Sequence, residues 1–275
     1  MAAVNNIPEA SYGILQQNLS NSVLDEVAEQ VRNLGYAIID SGYTAPELRK
    51  YSEEFNRTQE QYIETYGESN LRSLNEFYTI RSPLTHGGEE FLRLALNENV
   101  LLILQKLIPG KFILNQQNCV INPPQETYNQ GAWHRDLPYQ HFVSSTPLAI
   151  NALFCVDDFT AQNGATFVIP ASHKSEAFPS SSYIKKNAIQ VEAKAGSFIL
   201  LDCMVFHAGG FNNSHSARRA VNQAYNIPYF KQQINIPNNM QNLHLSADAR
   251  DVLGYNYMEA NSIEQYFAAR TKKKY

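Results

Sequence analysis

The spacing of apolar residues changes once, near residue 110, and that change does most to limit what the chain can fold into. Upstream the period is helical. Leu24, Val27, Val31 and Leu34 form one stripe, with Ser20 or Asn21 placed to cap its start and Gly35 to end it. The run 36–40 reads as a strand. Thr44-Ala45-Pro46-Glu47 opens a second helix that reaches about residue 66, with Pro in the first turn and Glu at the capping-box position. Residues 89–107 predict one or two more helices, closed by Pro109-Gly110. Downstream, short strands are predicted over 112–121, 148–156, 166–169, 188–192, 197–201 and 218–227. Asn122-Pro123-Pro124, Asn163-Gly164, Ala195-Gly196 and Gly209-Gly210 mark turns between them. Such strands predict an antiparallel double sheet, a jelly roll, and the preceding helices make the class α+β. We expect one domain over 1–275: a helical part (about 20–110), a jelly-roll part (about 111–230) and a C-terminal segment (231–275). Its Asn- and Gln-rich stretch 232–244 reads equally as a surface loop or a lid.

Composition narrows the function classes. Of the 275 residues, 44% are hydrophobic and 11% aromatic, enough for a sizeable core. The formal net charge is −4, and the only basic run is Arg270 to Lys274, so nucleic acid is not an expected partner. No apolar stretch is long enough to cross a membrane. The opening residues lack the basic and then apolar pattern of a signal peptide. Cys119, Cys155 and Cys203 are odd in number, far apart and set in apolar runs, which predicts buried thiols in a reducing compartment. A cytoplasmic protein acting on a small molecule is the expectation.

The candidates for chemistry are few. Among seven histidines, His86 and His244 lie in loop-like surface text, His173 follows a turn and reads as structural, and His141 and His215 are ambiguous. In His134-Arg135-Asp136, an extended chain projects the imidazole and the carboxylate to the same side. Two histidines and one carboxylate on one face of an octahedron suit Fe(II) and leave three positions open. The tripeptide alone is common, and the companion candidate, His207, lies far downstream after the strand 197–201. Eleven residues beyond His207 comes Arg218, able to capture a carboxylate in a two-toothed fashion or simply to sit on the surface with Arg219.

Taken together, these segments resemble the phytanoyl-CoA dioxygenase family of Fe(II)- and 2-oxoglutarate-dependent oxygenases. The similarity rests on Trp133-His134-Arg135-Asp136, on the run Asn163-Gly164-Ala165-Thr166 to Pro170-Ala171-Ser172-His173-Lys174, on Phe206-His207-Ala208-Gly209-Gly210, and on Arg218-Arg219-Ala220. Leu34-Gly35-Tyr36-Ala37-Ile38-Ile39 resembles the family's opening, and the likeness spans roughly 20–235. It implies a double-stranded β-helix (cupin-like) with packed N-terminal helices, His134, Asp136 and His207 as iron ligands, and Arg218 on the distal carboxylate of 2-oxoglutarate. Thr166 matches a position that adds a hydrogen bond to that cosubstrate. Arg219 is the competing choice for the carboxylate, though a strand neighbour points the other way. The chain departs from the family pattern at Ala171, in place of a Gly, and at Gly131-Ala132, where a polar cosubstrate contact usually stands.

By resemblance, the reaction consumes O2, splits 2-oxoglutarate to succinate and CO2, and hydroxylates an unactivated C–H bond. A carboxylate at Asp136, where halogenases carry Ala or Gly, favours hydroxylation. Desaturation, epimerisation or cyclisation by the same site, a cupin-type metal enzyme without 2-oxoglutarate, and a non-catalytic jelly-roll module are the alternatives. Tyr78, Arg81, Tyr139, His141, Phe142 and Asn151 are the candidate substrate contacts, and they suggest a small polar molecule or natural product. Asn151 interrupts an apolar strand and needs a partner.

Overall fold

The computed structural model describes residues 7–8, 10–139, 142–240 and 244–272. Helix α1 (Val23–Leu34) is capped by Ser22, whose hydroxyl accepts from the Asp25 amide, rather than by Ser20 or Asn21. It ends at Gly35, which adopts the left-handed conformation at φ 83°. A side chain there would strike His173, since a Cβ would lie 2.7 Å from its Nδ1. The chain then enters β1 (Tyr36–Asp40) and α2 (Ala45–Tyr66), the latter opened by the expected Thr44–Glu47 capping box. A short α3 (Glu68–Ser73) and β2 (Thr79–Arg81) follow, and the run 89–107 resolves into α4 (Glu89–Ala95) and α5 (Glu98–Leu107).

The strands of the second half are β3 (Ile113–Asn122), β4 (Ala149–Cys155), β5 (Thr166–Val168), β6 (Ile189–Val191), β7 (Ser197–Asp202), β8 (His207–Ala208) and β9 (Arg218–Asn226). Helix α6 (Ser181–Asn187) precedes β6, while α7 (Ile236–Asn239), α8 (Ala247–Val252) and α9 (Ile263–Lys272) follow β9. One sheet has six strands in the order β1-β7-β4-β9-β3-β2, and a smaller one has the order β6-β5-β8. The pairings are antiparallel throughout. This is the jelly roll that the strand spacing predicted, with helices against its large sheet.

Alternation along the strands builds two apolar cores from one sheet. Ile150, Ala152 and Phe154 of β4, Phe198 and Leu200 of β7, and Val221 and Tyr225 of β9 join Val31, Phe55, Leu94 and Leu104 in the helical layer. Cys155, Ile199, Leu201 and Ala220, one residue out of step, meet Phe159, Val168 and Val191 of the small-sheet side. On β9 the inner set therefore runs Arg218, Ala220, Asn222, Ala224 and Asn226. That face looks into the space between the sheets, and there the polar residues collect.

Candidate active site

The segment around His134 is extended and adds to the small sheet. The His134 amide donates to the His207 carbonyl at 2.9 Å and the His207 amide returns the bond at 3.1 Å, while the Asp136 amide donates to Cys203 O at 3.0 Å. Backbone pairing thus sets two histidines side by side, with ring centroids 4.3 Å apart. Arg135 points the opposite way, as alternation requires. Its buried guanidinium lies over the Phe206 ring and donates to the carbonyls of Met204, Glu176, Ser172 and Ser175.

One oxygen of Asp136, Oδ1, lies 3.5 Å from His207 Nε2 and 3.9 Å from His134 Nε2. One ligand atom from each of the three residues fits within a span of 4.8 Å. The other oxygen, Oδ2, accepts from Asn151 Nδ2 at 2.7 Å. Each imidazole has its Nδ1 against a backbone carbonyl two residues back: His134 against Ala132 at 2.7 Å, His207 against Val205 at 3.1 Å. The Nδ1–H tautomer these contacts select leaves both Nε2 lone pairs aimed at the shared space. Burial alone would raise the Asp136 carboxyl, but His207, His134 and the Asn151 amide outweigh it and hold it at about 2. Burial pulls both imidazoles down. For His207 the adjacent Asp136 charge overcomes this and the net shift is upward, whereas His134, repelled also by His207, stays low.

Arg218 opens β9 on the inner face and is buried. Its guanidinium lies 3.8 Å from the Phe159 ring centroid, Nη2 donates to the Tyr128 hydroxyl at 3.3 Å, and Nε has no acceptor. Among the described residues it has no carboxylate partner. Burial pulls its pKa down, with Tyr128 the chief offset. Arg219, one residue on, points to the helical face of the sheet, where it is ion-paired with Asp157 at 2.7 Å and donates to Ser52 and Asn56 of α2, which leaves Arg218 as the guanidinium between the sheets. Thr166 begins β5 and lines the same small cavity as Arg218, His134, His207, Asn151, Asn222 and Tyr128.

A second cavity of about 520 Å³ adjoins the other side of Asp136. Leu137, Pro138, Phe142, Leu148, Ala149 and Phe230 form its apolar wall, and Asn115, Gln116 and Asn226 supply carboxamides. Of the substrate contacts expected from the residues alone, Phe142 lines this cavity and Asn151 turns to Asp136. Tyr78 and Arg81 line neither cavity, because each is spent on a carboxylate: Tyr78 on Glu126, and Arg81 on Glu76 at 2.6 Å. Tyr139 is exposed, and His141 lies outside the described residues. Tyr128, Asn222 and Asn226 were not singled out from the sequence. The interruption of apolar text by Asn222 and Asn226 on the Arg218 face was the available signal for two of them.

Comparison with known proteins agrees with this geometry. Residues 31–220 match the family described as phytanoyl-CoA dioxygenase, and the chain belongs to that family. It is 28% identical over 264 residues to an uncharacterized protein of Mycobacterium tuberculosis, covering 93% of this chain and 96% of that one. It is 27% identical over 222 residues to dioxygenase FUM3 of Gibberella moniliformis, covering 74% and 72%. Among solved structures, EctD from S. alaskensis with 2-oxoglutarate and 5-hydroxyectoine has the same fold, with a TM-score of 0.63, 16% identity, and 83% and 84% of the two chains covered. The α-ketoglutarate-dependent epimerase SnoN from nogalamycin biosynthesis follows at TM-score 0.55 and 17% identity, covering 74% and 81%.

Proposed function

We propose that the protein is an Fe(II)- and 2-oxoglutarate-dependent dioxygenase that oxidises a C–H bond of a small, uncharged molecule, less polar than the sequence suggested because Tyr78 and Arg81, which carried that expectation, stand outside the cavity. One observation carries the reading. Two Nε2 atoms and one carboxylate oxygen converge on a single point, and a buried guanidinium with an unsatisfied N–H stands in the same cavity. The donor set fits Fe(II), because two imidazoles and one carboxylate fill one face and leave positions open. The guanidinium fits a dicarboxylate, because a buried charge without a protein partner is costly unless a ligand supplies one.

In this reading His134, Asp136 and His207 hold the metal. Arg218 takes the distal carboxylate of the cosubstrate, with Thr166 on the same wall. Asn151 orients Asp136 so that only Oδ1 faces the metal. A bound Fe(II) ion supplies the oxidation of 2-oxoglutarate by O2 to succinate and CO2, coupled to attack on the substrate C–H bond. The Leu137, Phe142 and Phe230 wall excludes water and packs the substrate beside Asp136, while Asn226 offers it a neutral polar contact. Lys231 is the only cation lining that cavity among the described residues, and it is exposed and paired with Glu259 at 3.3 Å. An acyl-CoA, with its phosphates, is therefore a poor fit and a compact natural product a better one.

Hydroxylation is the outcome we propose. The fold shared with SnoN keeps epimerisation as a second reading, and the presence or absence of a new oxygen in the product separates the two. Succinate release in the presence of Fe(II), 2-oxoglutarate and air tests the class. We expect release by the wild type and its loss in His134→Ala, Asp136→Ala and His207→Ala. Undiminished release by any of the three would overturn the assignment.

A further inference from the structure

The small cavity holds a second, half-buried donor that the family motifs do not include. Tyr128 lies six residues before His134, in the loop after β3, and its hydroxyl meets Arg218 Nη2 at 3.3 Å. That contact uses the phenol oxygen as acceptor and leaves its proton uncommitted, for no acceptor takes it among the described residues. The chain is built around this placement. A Cβ on Gly209 would lie 1.9 Å from the Tyr128 hydroxyl oxygen and 2.8 Å from Cζ, so only glycine fits beside the ring two residues after His207. Gly209 in turn donates its amide to Gln130 O at 2.8 Å, which ties the Tyr128 loop to the end of β8. Phe159 covers one face of the guanidinium and directs its N–H edge into the cavity.

We propose that Tyr128 is a second donor to the distal carboxylate of the keto acid, its O–H and the Arg218 N–H groups closing on that carboxylate from two sides. The inference rests on the oxygenase reading above. It explains a guanidinium whose side-chain acceptor among the described residues is a neutral phenol. A carboxylate placed there would accept from Nε, now orphaned, and from the phenol. Burial raises the Tyr128 pKa and Arg218 only partly offsets this, so the phenol keeps the proton it donates at neutral pH.

The test is keto acid binding to the full chain loaded with Fe(II) without oxygen, read from the absorption band a keto acid makes on ferrous iron. Two probes are compared: 2-oxoglutarate, and pyruvate, which has the metal-binding end but no distal carboxylate. Tyr128→Phe should weaken 2-oxoglutarate by about tenfold and leave pyruvate within about twofold, the loss of one charge-assisted hydrogen bond. Arg218→Gln should weaken 2-oxoglutarate by more and likewise spare pyruvate. An unchanged 2-oxoglutarate affinity in Tyr128→Phe, beside a loss in Arg218→Gln, overturns the Tyr128 inference alone. So does equal weakening of both probes, which would mark the phenol as a wall and not a donor. No band in the wild type, or no effect of Arg218→Gln, overturns the oxygenase reading itself. Should Tyr128→Phe fail to fold, the near-UV tyrosine difference spectrum of the wild type decides. A perturbation by 2-oxoglutarate and none by pyruvate is expected, and its absence refutes the inference.

Discussion

Asp136 divides its two oxygens between two tasks, and the division depends on Asn151. With Nδ2 of Asn151 at 2.7 Å from Oδ2, the carboxylate cannot swing both oxygens toward the histidines. Removing an outer partner of this kind typically costs about 10- to 100-fold in metal affinity. Asn151→Ala should therefore bind iron more weakly by about that factor while retaining the fold, which an iron titration followed by circular dichroism would establish. Arg135 does the matching work on the other side of the segment. It ties four backbone carbonyls, and its loss strands those of Met204 and Ser172 in a buried setting. Arg135→Met should lower stability by roughly 3 kcal/mol, seen in chemical unfolding. The need of Asn151 for a partner was legible in the sequence. Which partner it finds was not, because Asp136 reaches it only through the pairing of the His134 segment with β8.

At the scale of elements, the strands that periodicity predicts and helices α1, α2, α4 and α5 fall within a residue or two of their expected places, and the reasons are local, whereas the ten-residue α9 was not foreseen. Thr44 and Glu47 cap α2 through a box readable in the text, and β9 shows its inner and outer faces by simple alternation. What else escaped the sequence is short or remotely partnered. The two-residue β8 offers no period, and β2 holds Arg81 through Glu76 and not toward a ligand. The cap of α1 shifted to Ser22 because its hydroxyl, unlike that of Ser20, reaches the Asp25 amide at 3.2 Å. Ser22→Ala should cost about 1 kcal/mol, measured as a lower thermal midpoint. At the other end of α1, Gly35→Ala combines a left-handed φ with a collision against His173 Nδ1, and should cost about 1–3 kcal/mol in the same measurement.

Across the whole molecule, one six-stranded sheet carries structure on one face and chemistry on the other. The helical core is the larger apolar mass, and Phe154 lies fully buried within it, its ring 5.1 Å from that of Phe198 and 5.5 Å from that of Tyr51. Phe154→Ala should cost about 3–5 kcal/mol in urea unfolding. The resident Asp136 charge is on the opposite side of the sheet, so the metal-free and metal-loaded proteins should lose similar amounts. Binding of a ligand to the folded state alone adds stability by mass action, and a hundredfold excess over the dissociation constant adds about 2.7 kcal/mol. Fe(II) together with 2-oxoglutarate should raise the thermal midpoint, and a chelator should return it to the metal-free value.

Arg218 and Arg219 stand next to each other and serve opposite sides of the same sheet. Deleting one residue from the middle of β9 would exchange them. Asp157 would meet Arg218 in place of Arg219, and the interior would receive the Arg219 guanidinium displaced by one rung. The outer ion pair thereby keeps the count for the inner charge, and any lengthening this protein tolerates has to come in its turns, in steps that leave the odd and even places of that strand untouched.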